Sequence, residues 1–153
     1  MIDMPELVPD NFPCPNIIDS GTSELDLVIP SITGLREFLE TNISFVRENG
    51  FEAIFNSEDI YSTNTSNIIL SEWPDVIFTL MGKNREYDFV VSPKNYWQND
   101  YIQEGQTSLA MTIQDTTQAG ENANAIMGLT FICQNYCVFD YANKLVKIAP
   151  RKV

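Results

Sequence analysis

The chain has 153 residues, with 9 Lys plus Arg against 21 Asp plus Glu and no His. A net charge of −12 argues against nucleic acid and anionic membrane surfaces, both of which are held through Lys and Arg. The absence of His removes imidazole as a catalytic base and as a metal ligand. At 44% hydrophobic and 20% charged residues, the composition is that of an ordinary globular chain, and the length predicts one domain over residues 1–153.

In chain order, Met1 to Pro15 is Pro-rich and acidic, with Glu6-Leu7-Val8 as a short candidate strand. The start lacks the basic and apolar regions of a signal peptide, and no apolar run reaches the length of a membrane helix. Asn16-Ile17-Ile18-Asp19 is an apolar run ending on a carboxylate, followed by the turn-prone Ser20-Gly21-Thr22-Ser23. Leu25 to Ile29 reads as strand, stopped by Pro30. Ser31 is a candidate N-cap for a helix reaching about Asn42, with Ile32, Leu35, Phe38 and Leu39 at helical spacing. The polar stretch from Asn49 to Asn67 reads as a long surface loop.

Further on, Asp75 to Leu80 and Tyr87 to Val91 predict a hairpin around Met81-Gly82-Lys83-Asn84, before a helical turn near Lys94–Trp97. Ser108 to Gln114 alternates as a strand, and Ala125-Ile126-Met127-Gly128 is an apolar run ending on glycine. A brief helix near Leu129–Gln134 precedes two last strands, Tyr136 to Asp140 and Lys144 to Ala149. The class is therefore mainly β with one or two short helices. Cys14, Cys133 and Cys137, an odd number without His, read as small thiols or one disulfide rather than a zinc site, and no metal is expected. Trp73 and Trp97 read as core or rim aromatics.

The chemistry concentrates at Asp19. A carboxylate between an apolar strand and a glycine turn is costly unless it is hydrogen-bonded. Nearby backbone N–H groups and the hydroxyls of Thr22 and Ser23 could hold it ionised. Taken alone, Asp-Ser-Gly-Thr also suits a plain Asx turn. The whole chain favours the first reading. Ile17-Ile18-Asp19-Ser20-Gly21-Thr22 resembles the active-site loop of pepsin-like aspartic proteases, and Ala125-Ile126-Met127-Gly128 resembles the apolar-apolar-Gly segment that threads beside it. Trp73-Pro74-Asp75-Val76-Ile77-Phe78, Pro93-Lys94-Asn95-Tyr96 and Val138-Phe139-Asp140-Tyr141-Ala142-Asn143 are similar to further family elements, in family order, from about Glu6 to Pro150.

The resemblance is to the C-terminal lobe, and the Leu80-Met81-Gly82 hairpin leans toward the beta-secretase-like branch. It implies a single lobe of the pepsin-like acid protease fold, a double-psi-type β-barrel-like lobe, acting as an aspartic-type endopeptidase without a cofactor. Asp19 would be one member of a catalytic carboxylate pair, with Thr22 bonded to its outer oxygen. Gly21, Thr22, Ser23 and Ile126 would contact substrate, while Ser20 and Gly128 would support the loop; Asp140 would be structural.

One Asp-Ser-Gly motif occurs in the 153 residues. The expected partners are therefore a peptide or protein substrate and an N-terminal lobe bearing the second aspartate and a flap, and the chain by itself is expected to be inactive. A full-length enzyme would work in the secretory pathway, outside the cell or in an acidic vesicle. Two alternatives are a non-enzymatic lobe that binds a peptide or protein, and a homodimer that pairs two copies of Asp19 as retroviral proteases do. Departures from the family pattern are Leu129 in place of a frequent Asp, Lys147 in place of Gly, and no Cys in the Ser62-Thr63 and Thr107-Ser108 regions where a disulfide is usual.

Overall fold

Leu25, Leu27 and Ile29 alternate with Asp26 and Val28, and that period of two sets which side of a central sheet faces the core. A computed structural model describes residues 2–3, 17–29, 32–56, 60–115 and 125–151. Strands outweigh helices, so the chain is mainly β. The candidate strand at Glu6-Leu7-Val8, the cap at Ser31, and Cys14 lie outside the described residues.

The central sheet runs in the order β2 (Ile17–Ile18), β10 (Ile126–Met127), β3 (Leu25–Ile29), β9 (Met111–Asp115). Here β10 lies between β2 and β3, parallel to the first and antiparallel to the second. The chain after β2 must therefore loop over β10 to return as β3. Leu25 and Met127 are almost fully buried on the inner side.

Three further sheets surround this one. A hairpin of β5 (Val76–Met81) and β6 (Glu86–Val91) closes through Gly82, whose N–H donates to the Arg85 carbonyl at 2.9 Å. Its partners run in register from Val76–Val91 to Met81–Glu86, close to the expected bounds. Strands β4 (Ser62–Asn64), β8 (Gln106–Leu109) and β7 (Trp97–Asn99) form a second antiparallel set. The last hairpin, β11 (Asn135–Asp140) and β12 (Leu145–Pro150), is extended by β1 (Ile2–Asp3) on β12.

Ser108 to Gln114, expected as one strand, is two. Ala110 breaks it: its N–H donates to the Tyr96 carbonyl at 2.7 Å, and its carbonyl accepts from Leu25 N at 3.0 Å. The chain there leaves β7 and joins β3, so one residue bonds both sheets.

The helix expected to begin at Ile32 is present as α1 (Ile32–Asn42), with Leu39 buried. The polar stretch that follows is not a long loop. Between Asn49 and Asn67 it contains α3 (Phe51–Phe55) and β4, and α2 (Ser44–Asn49), for which the sequence predicts no element, precedes it and is joined to α3 by Gly50 at φ +87°. Helices of five or six residues are unstable by themselves. These are held by burial of Phe45, Val46, Phe51, Ile54 and Phe55, and by Glu72, whose Oε2 accepts from Ser44 N at 3.1 Å and Ser44 Oγ at 2.7 Å. The short helices α4 (Pro93–Tyr96) and α5 (Leu129–Ile132) fall where helical turns are expected.

Both Trp73 and Trp97 are core residues, packed edge-on at 4.9 Å between ring centroids. Two of the three departures from the resembled pattern have partners in the structure. Ser62 and Ser108 stand opposite each other across β4 and β8, and their hydroxyls are 2.9 Å apart. Lys147 Nζ lies 3.2 Å from Asp140 Oδ2 across the final hairpin. Asp140 also accepts from Asn143 N at 3.1 Å and Nδ2 at 2.8 Å, so it anchors the turn. Among the described residues Cys133 and Cys137 are free thiols, and no helix is long and apolar enough to cross a membrane.

Candidate active site

The loop between β2 and β3 begins at Asp19, which follows the buried Ile18. Ser20 and Gly21 form the exposed turn, and Thr22 and Ser23 are half-buried. The Asp19 carboxylate is held on both oxygens. Gly21 N donates to Oδ1 at 2.8 Å and Thr22 Oγ1 donates to Oδ2 at 2.8 Å. These bonds, the Gly21 amide foremost and then the Thr22 hydroxyl, hold Asp19 below the usual carboxylate range, against a smaller opposing effect of burial. The group is ionised, aimed and accessible.

Gly128 supports this loop from beneath. Its N–H donates to the Glu24 carbonyl at 3.1 Å, Leu129 N to the Thr22 carbonyl at 2.7 Å, and Thr130 N to the Ser23 carbonyl at 3.1 Å. Asp19 N in turn donates to the Met127 carbonyl at 3.2 Å. The approach is so close that a Cβ on Gly128 would stand 2.2 Å from Glu24 O and 2.4 Å from Thr22 O. Only glycine fits there. At Gly21, a Cβ would stand 3.2 Å from Asp19 Oδ1, crowding the carboxylate that the same residue binds.

That arrangement, a strand threaded through the loop that follows a neighbouring strand, bears on the family. The family model of eukaryotic aspartyl proteases matches residues 6–151. The chain belongs to this family. No curated protein matches it in a sequence search.

Of the residues singled out in this aspartyl protease chain, Asp19, Gly21 and Thr22 form one hydrogen-bonded unit. Ser23 and Gly128 join it through the backbone, whereas the structure gives Ser20 no side-chain contact with Asp19. Ile126 lies on β10 opposite Ile17 and Asp26. Three residues escaped notice in the sequence. Thr130, nearly fully buried, donates Oγ1 to the Ser23 carbonyl at 2.9 Å and accepts from Gln98 Nε2 at 3.1 Å, tying the loop to β7. Glu24 precedes β3 and accepts from Gly128 N through its carbonyl, while Asp26 lies on β3 opposite in face to the buried Leu25. Strand alternation from Leu25 would have placed Asp26 on that face.

Hydrogen bonds and burial account for the shift at Asp19, and no second carboxylate among the described residues contributes to it. Among the described residues no group of three or more Cys, Asp or Glu could hold a metal ion.

Proposed function

We propose that the chain is the C-terminal lobe of an aspartic-type endopeptidase, in which Asp19 is one of two carboxylates that activate a water for attack on a peptide bond. The observation that carries this is the two-sided hydrogen bonding of Asp19 by Gly21 and Thr22. An exposed carboxylate held ionised at the end of a strand can take a proton from water. A second, protonated carboxyl would polarise the scissile carbonyl. Two such groups about 3 Å apart share one proton because they cannot both ionise. A single Asp-Ser-Gly-Thr loop occurs in these 153 residues, so the second carboxylate comes from another lobe.

In this reading Gly21, Thr22 and Ser23 contact the substrate backbone, Ile126 lines an apolar subsite, and Ser20 faces the partner lobe. The chemistry needs no cofactor. Acidic working conditions, as in a secretory or vesicular compartment, match a shared-proton pair, and the Leu80-Met81-Gly82 turn favours the beta-secretase-like branch. The Lys147–Asp140 pair and the Ser62–Ser108 contact give both substituted positions ordinary partners, which supports the peptidase reading over a non-enzymatic binding lobe. Nothing specific favours a homodimer.

The test is hydrolysis of an internally quenched peptide between about pH 3 and 6. The chain alone is expected to be silent. Co-folded with a pepsin-like N-terminal lobe it is expected to cleave, with sensitivity to a pepstatin-type inhibitor and loss in Asp19→Asn. Turnover by the pure monomer, or turnover that survives Asp19→Asn, contradicts the proposal.

A further inference from the structure

Two triplets of the form Asn-x-Ser occur in the chain, Asn42-Ile43-Ser44 and Asn64-Thr65-Ser66. Such a triplet is the acceptor for an N-linked glycan in a chain that enters the secretory pathway. In a sequence rich in Asn, Ser and Thr it also arises by chance, so the pattern alone selects neither. The fold separates them. Asn42 is the last residue of α1, and its Nδ2 donates to the Phe38 carbonyl at 2.7 Å. Ile43 beside it is fully buried. The Ser44 hydroxyl and amide both donate to Glu72 Oε2, at 2.7 and 3.1 Å, which fixes the start of α2. All three residues are committed to the α1–α2 junction, and a sugar on Asn42 competes with it.

Asn64-Thr65-Ser66 is the opposite case. All three residues are exposed. Asn64 ends β4 with an extended backbone, φ −59° and ψ 135°, and its side chain caps nothing in the turn that follows. Among the described residues no hydrogen bond engages the Asn64 side-chain amide or the Ser66 hydroxyl. Thr65 anchors the triplet from its middle, its N–H and Oγ1 donating to the Gly105 carbonyl at 3.1 and 3.2 Å. Among the described strands β4 is the edge of the β4–β8–β7 sheet, so a bulky group at its end displaces no neighbouring strand. A sugar on this amide costs the fold no hydrogen bond.

We propose that Asn64 is an N-glycosylation site of this protein and that Asn42 is not. The co-reactant is an oligosaccharide linked to a lipid diphosphate. Asn64 Nδ2 forms a bond to the anomeric carbon of the first sugar and loses one proton. The bond from that carbon to the diphosphate oxygen breaks, and the lipid diphosphate leaves with the electron pair. Use of the site requires entry into the secretory pathway, so the inference rests on that part of the functional reading. It does not depend on peptidase activity.

The experiment expresses the full 153-residue chain behind a cleavable secretory leader in eukaryotic cells. Digestion with a peptide N-glycosidase in ¹⁸O water then marks each occupied asparagine for mass spectrometry. The mark is expected at Asn64 and not at Asn42. The unaltered chain is expected to run as a single-glycan species on a gel, a shift lost in Asn64→Gln and in Ser66→Ala and kept in Ser44→Ala. Equal marking of both asparagines, marking of Asn42 alone, or no mark at all overturns the proposal. Where a variant stays inside the cell, the same digest is run on the lumenal fraction, so misfolding does not hide the result. Because the leader forces entry into the lumen, a negative result leaves the peptidase reading intact, which falls separately if the co-folded lobes fail to cleave. The protein from its natural source, unmarked at Asn64 while the leader-bearing chain is marked, overturns the secretory reading and the use of the site with it.

Discussion

The Asp19 loop and the α2–α3 segment are both fixed against the core, by opposite means. At the loop, backbone meets backbone: Gly128, Leu129 and Thr130 donate to the carbonyls of Glu24, Thr22 and Ser23. No space remains for a methyl group at Gly128. In α2–α3 the contacts are made by side chains, with Phe45, Val46, Phe51, Ile54 and Phe55 buried beneath two helices too short to stand alone. The first region fails when an atom is added. The second fails when atoms are removed.

The sharpest way to break this comparison is Gly128→Ala. The added methyl meets backbone on two sides, so no side-chain rotation can relieve it. A loss of at least about 4 kcal/mol, or of the cooperative transition itself, is expected in urea unfolding. A change under about 1 kcal/mol would mean that the crossing yields easily. Next comes Phe51→Ala in α3, where a fully buried ring stacked on Phe55 at 4.7 Å is lost. The expected cost is about 3–5 kcal/mol in the same measurement.

Smaller effects sharpen the contrast. Glu72→Ala removes the acceptor at the start of α2, and about 1 kcal/mol is expected from thermal unfolding, with α1 unaffected. Gly34→Ala serves as the control glycine. It lies on exposed helix with nothing within 4 Å of its added Cβ. It is expected to stabilise by about 0.5–1 kcal/mol, opposite in sign to Gly128→Ala.

These two regions also differ in how far the sequence reveals them. A backbone crossing demands particular residues, so Asp19, Gly21, Thr22 and Gly128 stand out in the chain, and the hairpins at Gly82 and Asp140 are similarly marked. Side-chain anchoring leaves a weaker trace. Between Asn49 and Asn67 the apolar anchors Phe51, Ile54 and Phe55 are embedded among Asn, Ser and Glu, and the stretch reads as loop. Gly50 was the available signal, since its φ of +87° is what separates two helices. The break at Ala110 carries no mark of its own, because it is set by a carbonyl on α4 and an amide on β3. The face of Asp26 was legible from strand alternation, but its Thr112 partner was not, because that contact depends on the pairing of β3 with β9.

The central claim is that Gly21 and Thr22 hold Asp19 as a poised carboxylate. A ¹³C NMR titration of the Asp19 carboxyl, in the chain and in Thr22→Val, tests it most directly. A folded value below the ordinary one means that the group stabilises the fold above its unfolded pKa, and that this contribution is lost as pH falls through the folded value. The account predicts that Asp19 titrates below the ordinary aspartate value and moves up in Thr22→Val, with the acid limb of the stability curve shallower in that variant. An Asp19 that titrates at or above the ordinary value, or does not respond to loss of the Thr22 hydroxyl, contradicts it.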